Sequence, residues 1–311
     1  MNKSIKITSP LSHQGFTLIE LMISLVLGLL ISAAVMQVYL INTRTLTVQQ
    51  SASEVQDSSI FAIQSLESHI RLANLGNPIN YITDETNHGG IVLTKNNLGA
   101  SNNTDPKYFT INSANGLSNI NNQPSDQLTI QYKNITPYDL FDCEGTKIVK
   151  GSTDWVVERY FVRLATGATA KTGINDLVLA CSSGRVDTDG NVIAAFTGNG
   201  QVMVEGVDQF KILLGAQSSL SQLNYLAPSI YTEIDKPETD KKAALTSIKL
   251  GMIVHSNTPL IDSTDTDQFV LLGVTQKLKD DNVRKKYYRR SYETTVLLRS
   301  ARVMTIISKA S

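Results

Sequence analysis

Residues 16–41 read Phe-Thr-Leu-Ile-Glu-Leu-Met-Ile-Ser-Leu-Val-Leu-Gly-Leu-Leu-Ile-Ser-Ala-Ala-Val-Met-Gln-Val-Tyr-Leu-Ile, and Glu20 is the one charge among them. No charged residue occurs between Glu20 and Arg44. At about 1.5 Å rise per residue such a helix reaches roughly 39 Å, more than the roughly 30 Å of bilayer hydrocarbon. A secretory signal has a shorter apolar core and a small-x-small cleavage site after it. Here the apolar run passes into a helical pattern without a break, so it is expected to stay in the working protein. Residues 1–15 carry Lys3 and Lys6 and no acid.

From Asn42 to Gly76 the chain turns polar but keeps Val55, Ser59, Ala62, Ile63, Leu66, Ile70 and Ala73 at spacings that mark one helical face. One helix is predicted from about Phe16 to Leu75. Gly76-Asn77-Pro78 is its stop signal, with Gly at C′ and Pro soon after. No proline falls between Leu11 and Asn77, and Gly28 is the soft point of the helix. A helix that is lipid-like in its first half and one-sided in its second needs a globular domain against the second half. His69, lone on that half, reads as a face residue rather than a ligand.

Composition narrows the rest. The 311 residues hold 28 Lys and Arg against 28 Asp and Glu, so a chain whose whole surface grips nucleic acid is excluded. Charged residues are only 18%, against a usual quarter, and Ser, Thr, Asn and Gln fill the gap, as suits a domain outside the cytoplasm. Two cysteines and four histidines exclude a Cys-rich metal framework and leave little for a His-based site. No hydrolase triad, phosphate loop or paired carboxylates stand out, and no cofactor is expected. Residues 77–125 hold twelve Asn, which suggests a long, loosely structured connection with short strands near Ile91–Thr94 and Tyr108–Ile111. Strand patterns recur around Leu128–Tyr132, Trp155–Leu164, Leu177–Cys181, Gln201–Val204, Val207–Leu214, Ser247–His255, Phe269–Val274 and Tyr292–Leu298. One long helix followed by an antiparallel sheet is an α+β pattern.

Gly15-Phe16-Thr17-Leu18-Ile19-Glu20 resembles the prepilin motif of type IV pilins and type II secretion pseudopilins. The resemblance implies cleavage by a prepilin peptidase between Gly15 and Phe16, and N-methylation of Phe16. Gln14 stands where that family usually has Lys or Arg, but Gly15 is in place. Removing residues 1–15 leaves 26 cations against 28 acids. A carboxylate one turn into a membrane helix costs about 3 kcal/mol unless it is paired or snorkels. The new amine of Phe16 would be a partner for Glu20, within one helix or between neighbours. In pilins this pair is taken to set the register of incoming subunits. The plainer reading of Glu20 is a side chain that snorkels to the interface.

Further strings resemble the PilW-like minor pilins: Ser125-Asp-Gln-Leu-Thr-Ile130, Arg159-Tyr-Phe-Val162, Leu177-Val-Leu-Ala-Cys181 and Val204-Glu-Gly-Val-Asp-Gln-Phe210. That resemblance implies a pilin-like fold: residues 16–41 as transmembrane and assembly helix, 42–76 as its amphipathic continuation, and 77–311 as a β-rich domain. The implied partners are other minor pilins, the major pilin, the prepilin peptidase and inner-membrane lipid. The implied role is to prime the pilus, with a place at its tip, supporting motility, adhesion and competence. The domain would be periplasmic before assembly and on the cell surface after it. A J-type pseudopilin and a membrane-anchored adhesin or binding module are the alternatives.

Cys143 and Cys181 are expected to pair, since disulfides persist outside the cytoplasm, and closing a loop of about 39 residues is worth roughly 4 kcal/mol. The other possibility is two free buried thiols. Asp187-Thr-Asp-Gly-Asn191 has the opening oxygen spacing of a calcium loop but lacks its closing Glu, so a hairpin turn is the better reading. Asp262–Asp267 is read as a solvated loop. Arg284, Lys285, Lys286, Arg289 and Arg290, interleaved with tyrosines, could hold single-stranded DNA. Alternation along a strand would split them between faces, and a solvated edge or subunit contact is the simpler expectation.

Overall fold

The computed structural model describes residues 15–99, 102–112, 116–166, 176–196, 198–219, 221–234, 242–261, 264–280 and 284–301. Of the expected leader only Gly15 lies within them, and Asp262 of the acidic loop lies outside. Residues up to Thr47 and residues from Val48 onward form two compact units.

A helix, α1, spans Leu18–Ile70. In the first unit every large apolar side chain from Phe16 to Ile41 is exposed, and this helix is long and apolar enough to cross a membrane. Its N-terminus is closed by Thr17, whose hydroxyl accepts from the Glu20 N–H at 3.3 Å. Where the sequence turns polar, Thr43, Thr45 and Thr47 donate their hydroxyls to carbonyls four residues back, so they fit the helix without an outside partner.

In the second unit the helix buries a single stripe: Ser51, Val55, Ser59, Ala62, Leu66 and Ile70. Fully burying each large member contributes about 1.5–3 kcal/mol. The helix ends at Ile70, five residues earlier than the sequence suggests. Bonds from Leu72 to His69 and from Ala73 to Ile70 tighten the chain, and Asn74 takes a positive φ of 67°. Asn74 then joins the sheet: its N–H donates to Gln131 O, its amide to Ile79 O and Ser300 O, and its carbonyl accepts from Gly90 N. Gly76 still marks the exit. It has φ 79°, and a Cβ there would lie 2.8 Å from that of Lys133.

The strands follow in order: β1 (Leu128–Tyr132), β2 (Leu140–Phe141), β3 (Lys147–Ile148), β4 (Trp155–Leu164), β5 (Leu177–Val186), β6 (Val192–Ala194), β7 (Gln201–Glu205), β8 (Val207–Ser219) and β9 (Gln222–Leu226). After a short helix α2 (Pro228–Glu233) come β10 (Ala244–Pro259), β11 (Gln268–Leu271), β12 (Val274–Lys277) and β13 (Tyr287–Leu297). All pairings are antiparallel. One sheet runs β1-β4-β5-β6 with β7 also on β5, and a second runs β13-β10-β8-β9. The fold is α+β.

The alternation of β4 explains how its sheet is covered on both sides. Val156, Tyr160 and Val162 join the main core with Leu66 and Ile70 of α1. Trp155 and Val157 point the other way, into a cluster with Val92, Leu98 and Tyr108. The described residues between 77 and 125 therefore form a packed layer, not the loose connection expected. The two expected strands there are reduced to single bridges, Ile91 to Ile130 and Ile111 to Gln127. Buried polar side chains replace the ladders. The Asn97 carbonyl accepts from the Leu93 and Thr94 amides, and its NH₂ donates to Thr83 O and Thr86 O.

Other expectations need smaller correction. β5 continues past Cys181 through Ser-Ser-Gly-Arg because β4 supplies its ladder as far as Val186. The run Phe269–Val274 is a hairpin rather than one strand. Its turn puts Leu272 at φ 52°, held by a 2.6 Å bond from its N–H to the Glu293 carboxylate. Leu-Gly in place of the usual Asn-Gly hid that turn.

Candidate assembly site and its buried supports

At the N-terminus, Thr17 and Glu20 form a capping box: the Glu20 Oε2 accepts from the Thr17 N–H and hydroxyl, each at 2.9 Å, while Thr17 receives the Glu20 amide. The Thr-x-x-Glu spacing was readable in the sequence. Phe16 is 90% exposed beside it, and a Cβ on Gly15 would meet nothing within 4 Å. The side-chain position of Gly15 therefore faces open space among the described residues.

Behind the second half of α1 lies a buried carboxylate that the sequence did not single out. Glu158 in β4 is fully buried. Its Oε1 accepts from Tyr132 OH at 2.8 Å and from the Cys143 N–H at 3.0 Å, and lies 3.1 Å from His69 Nδ1. Its Oε2 accepts from Tyr160 OH at 2.7 Å. Burial first, then the Glu158 charge, pushes both tyrosine hydroxyls up, so they remain donors. Burial alone would lower the His69 imidazole. The Glu158 hydrogen bond and charge, with Asp142 behind, outweigh it and leave the pKa above its ordinary value. Cys143 and Cys181 are joined as expected, with Cα atoms 6.1 Å apart, so the disulfide fixes the loop whose amide holds Glu158.

The cationic stretch is divided. Arg289 is fully buried: its Nε donates to Asp208 Oδ2 at 2.6 Å, and its guanidinium also reaches the carbonyls of Arg284 and Tyr287. Asp208 accepts from Asn119 Nδ2 at 2.7 Å on its other oxygen. Burial would raise the Asp208 pKa, but the charges of His255 and Arg289 and these hydrogen bonds leave it lowered. Arg284 Nε donates to Asn119, and Lys285 lies beside Asp280 and Asp267. Lys286 and Arg290 face solvent. The five cations thus do not form one surface, because strand alternation sends Arg289 inward.

Asp187–Asn191 is the turn between β5 and β6. Asp187 accepts from the Asp189 and Asn191 amides and from the Asn191 side chain, so its carboxylate is used by the turn. Asp265 of the second acidic loop accepts from the Arg289 N–H at 2.6 Å. Among the described residues no group of three or more His, Cys, Asp or Glu is placed to hold a metal.

Residues 11–36 match the prokaryotic N-terminal methylation motif, and residues 159–300 match the family described as type IV pilus-assembly protein W, PilW. No curated protein matches the chain significantly. A type IV-like pilin from Thermus thermophilus aligns at a TM-score of 0.41 and 8% identity, covering 79% of this chain and 98% of that one; a likeness this loose carries no argument. Over residues 159–300, just under half of its length, the chain is thus similar to the PilW family of type IV pilus-assembly proteins, and its N-terminal segment is similar to the methylation motif.

Proposed function

We propose that this protein is a minor pilin. It waits in the inner membrane on the first half of α1 with its globular domain in the periplasm, and is cut between Gly15 and Phe16 and methylated at the new amine. It then enters a type IV pilus with other minor pilins and the major pilin. Its work is to prime assembly, with a place at the tip, and not catalysis.

One observation carries this reading: a single helix whose apolar side chains are exposed on every side up to Ile41 and whose later residues bury one stripe. Lipid, and afterwards neighbouring helices, supply the surroundings that the first half lacks. Glu20 fits the same account. Among the described residues its side chain accepts on Oε2 alone, which leaves Oε1 for a cation such as the Phe16 amine of its own or a neighbouring subunit. DNA is not part of the proposal, since Arg289 is buried and Arg284 and Lys285 are engaged.

The test is the mass of the mature N-terminus in cells with and without the prepilin peptidase. N-methylated Phe16 that depends on the peptidase supports the proposal. An uncut chain in both strains would make this a membrane-anchored binding protein. Loss of secretion rather than of pili on deletion would make it a pseudopilin.

A further inference from the structure

The second unit carries two exposed, chemically opposite surfaces on the two flanks of α1. On one flank a cleft of about 350 Å³ opens between α1 and β7, with Phe61, Met203 and the carboxylates of Glu54 and Glu205 among its walls. Phe61 is 71% exposed. Glu205 faces solvent, and Glu54 holds Asn257 Nδ2 at 2.6 Å. Among the described residues β7 pairs with β5 alone, so its outer edge borders the cleft unpaired. An apolar floor, two acids and an open strand edge suit a cationic, partly aromatic segment.

Such a segment occurs on this same chain. β13 is an end strand of its sheet. It carries Arg290 in the open with the guanidinium 4.6 Å from the Tyr288 ring centre, and Lys286 is exposed just before it. About 3.6 residues per turn put Glu54 and Phe61 on one side of α1 and Glu67 on the other. Glu67 accepts from Thr294 of β13 at 2.5 Å, so β13 lies on the flank away from the cleft. Cations on an edge strand serve solubility in many proteins. Here they are matched by an acidic, apolar cleft of similar character on the opposite flank.

We infer that the Lys286–Arg290 edge of one copy docks into the Glu54–Glu205 cleft of a second copy of this chain. Because different surfaces meet, the contact is heterologous and leaves both ends open for another copy. It rests on surface chemistry alone and stands whether or not the chain enters a pilus.

The experiment uses the full chain in detergent, mixed from isotopically light and heavy preparations and treated with a zero-length carbodiimide. The coupling joins a carboxylate to an amine with loss of water, and light–heavy peptides linking Glu54 or Glu205 to Lys286 are the expected product. By sedimentation, Glu205→Arg or Arg290→Glu alone weakens self-association about tenfold, and the two together restore it to within about threefold. That rescue also shows that the fold tolerates both substitutions. A monomer, an association indifferent to both reversals as apolar helices pairing in the micelle would give, or a double variant that stays weak would each overturn the inference.

Discussion

His69, one residue before the end of α1, lies 3.1 Å from the buried Glu158 carboxylate of β4. The pair ties the helix to the sheet beside the disulfide, and its strength depends on the imidazole being charged. Since the folded pKa of His69 is raised, its contribution is fully present below the unfolded value of about 6.5 and is lost as pH rises through the folded value. Urea unfolding, followed by the single tryptophan, Trp155, should show His69→Gln costing about 1.5–3 kcal/mol in mild acid and less as the pH climbs. Taking the difference from the parent protein at each pH cancels the opposite slope from His88, whose pKa burial lowers.

Removing the Cys143–Cys181 bond by paired serine substitution is expected to lower stability by about 4 kcal/mol in the chain-entropy picture. The loop bearing the Cys143 amide would also loosen around Glu158. Comparing denaturation midpoints of the parent protein with and without reductant checks the same figure without mutation.

Neighbouring arginines offer a sharp contrast. Arg289→Met leaves Asp208 as a fully buried charge without its main partner and is expected to cost about 3–5 kcal/mol. Arg290→Ala, one residue on and exposed, should stay within about 0.5 kcal/mol of the parent. Equal effects on the unfolding midpoint would contradict the burial described for Arg289.

Glu20→Ala is expected to leave the unfolding of the β-rich unit unchanged and to impair entry into the filament. Thr17→Val removes the reciprocal cap but keeps the carboxylate. If its piliation matches that of Glu20→Ala, the cap and not the charge is what assembly needs; normal piliation in Glu20→Ala would end the register idea.

How much of this was legible depends on how local each signal is. The apolar run, the 55-59-62-66-70 stripe and β4 announce themselves within one or two turns or one strand, and the structure has them close to the expected bounds. The end of α1 was misplaced because Asn74 exchanges its last helical bonds for bonds to Gln131, Gly90 and Ser300, far away in sequence. Residues 77–125 looked loose because Asn97 and Asn119 are read as turn formers, whereas here they are buried staples. Glu158 stood in a strand as an ordinary alternating polar residue, and Arg289 stood in a cationic stretch read as a solvated edge or a DNA contact. Only the fold brings Tyr132, Tyr160 and His69 to the first and Asp208 to the second.

Gly206 joins β7 of one sheet to β8 of the other within a single residue. It takes φ 70°, and a Cβ there would come 2.5 Å from the His255 carbonyl oxygen. The two sheets therefore share one unbroken run of chain at a point that tolerates no side chain. Neither can open by peeling away its own strands without dragging on the ladder of the other. Amide exchange in the cores of β5 and β10 should accordingly follow a common opening event, so that a load applied to one sheet is resisted by both.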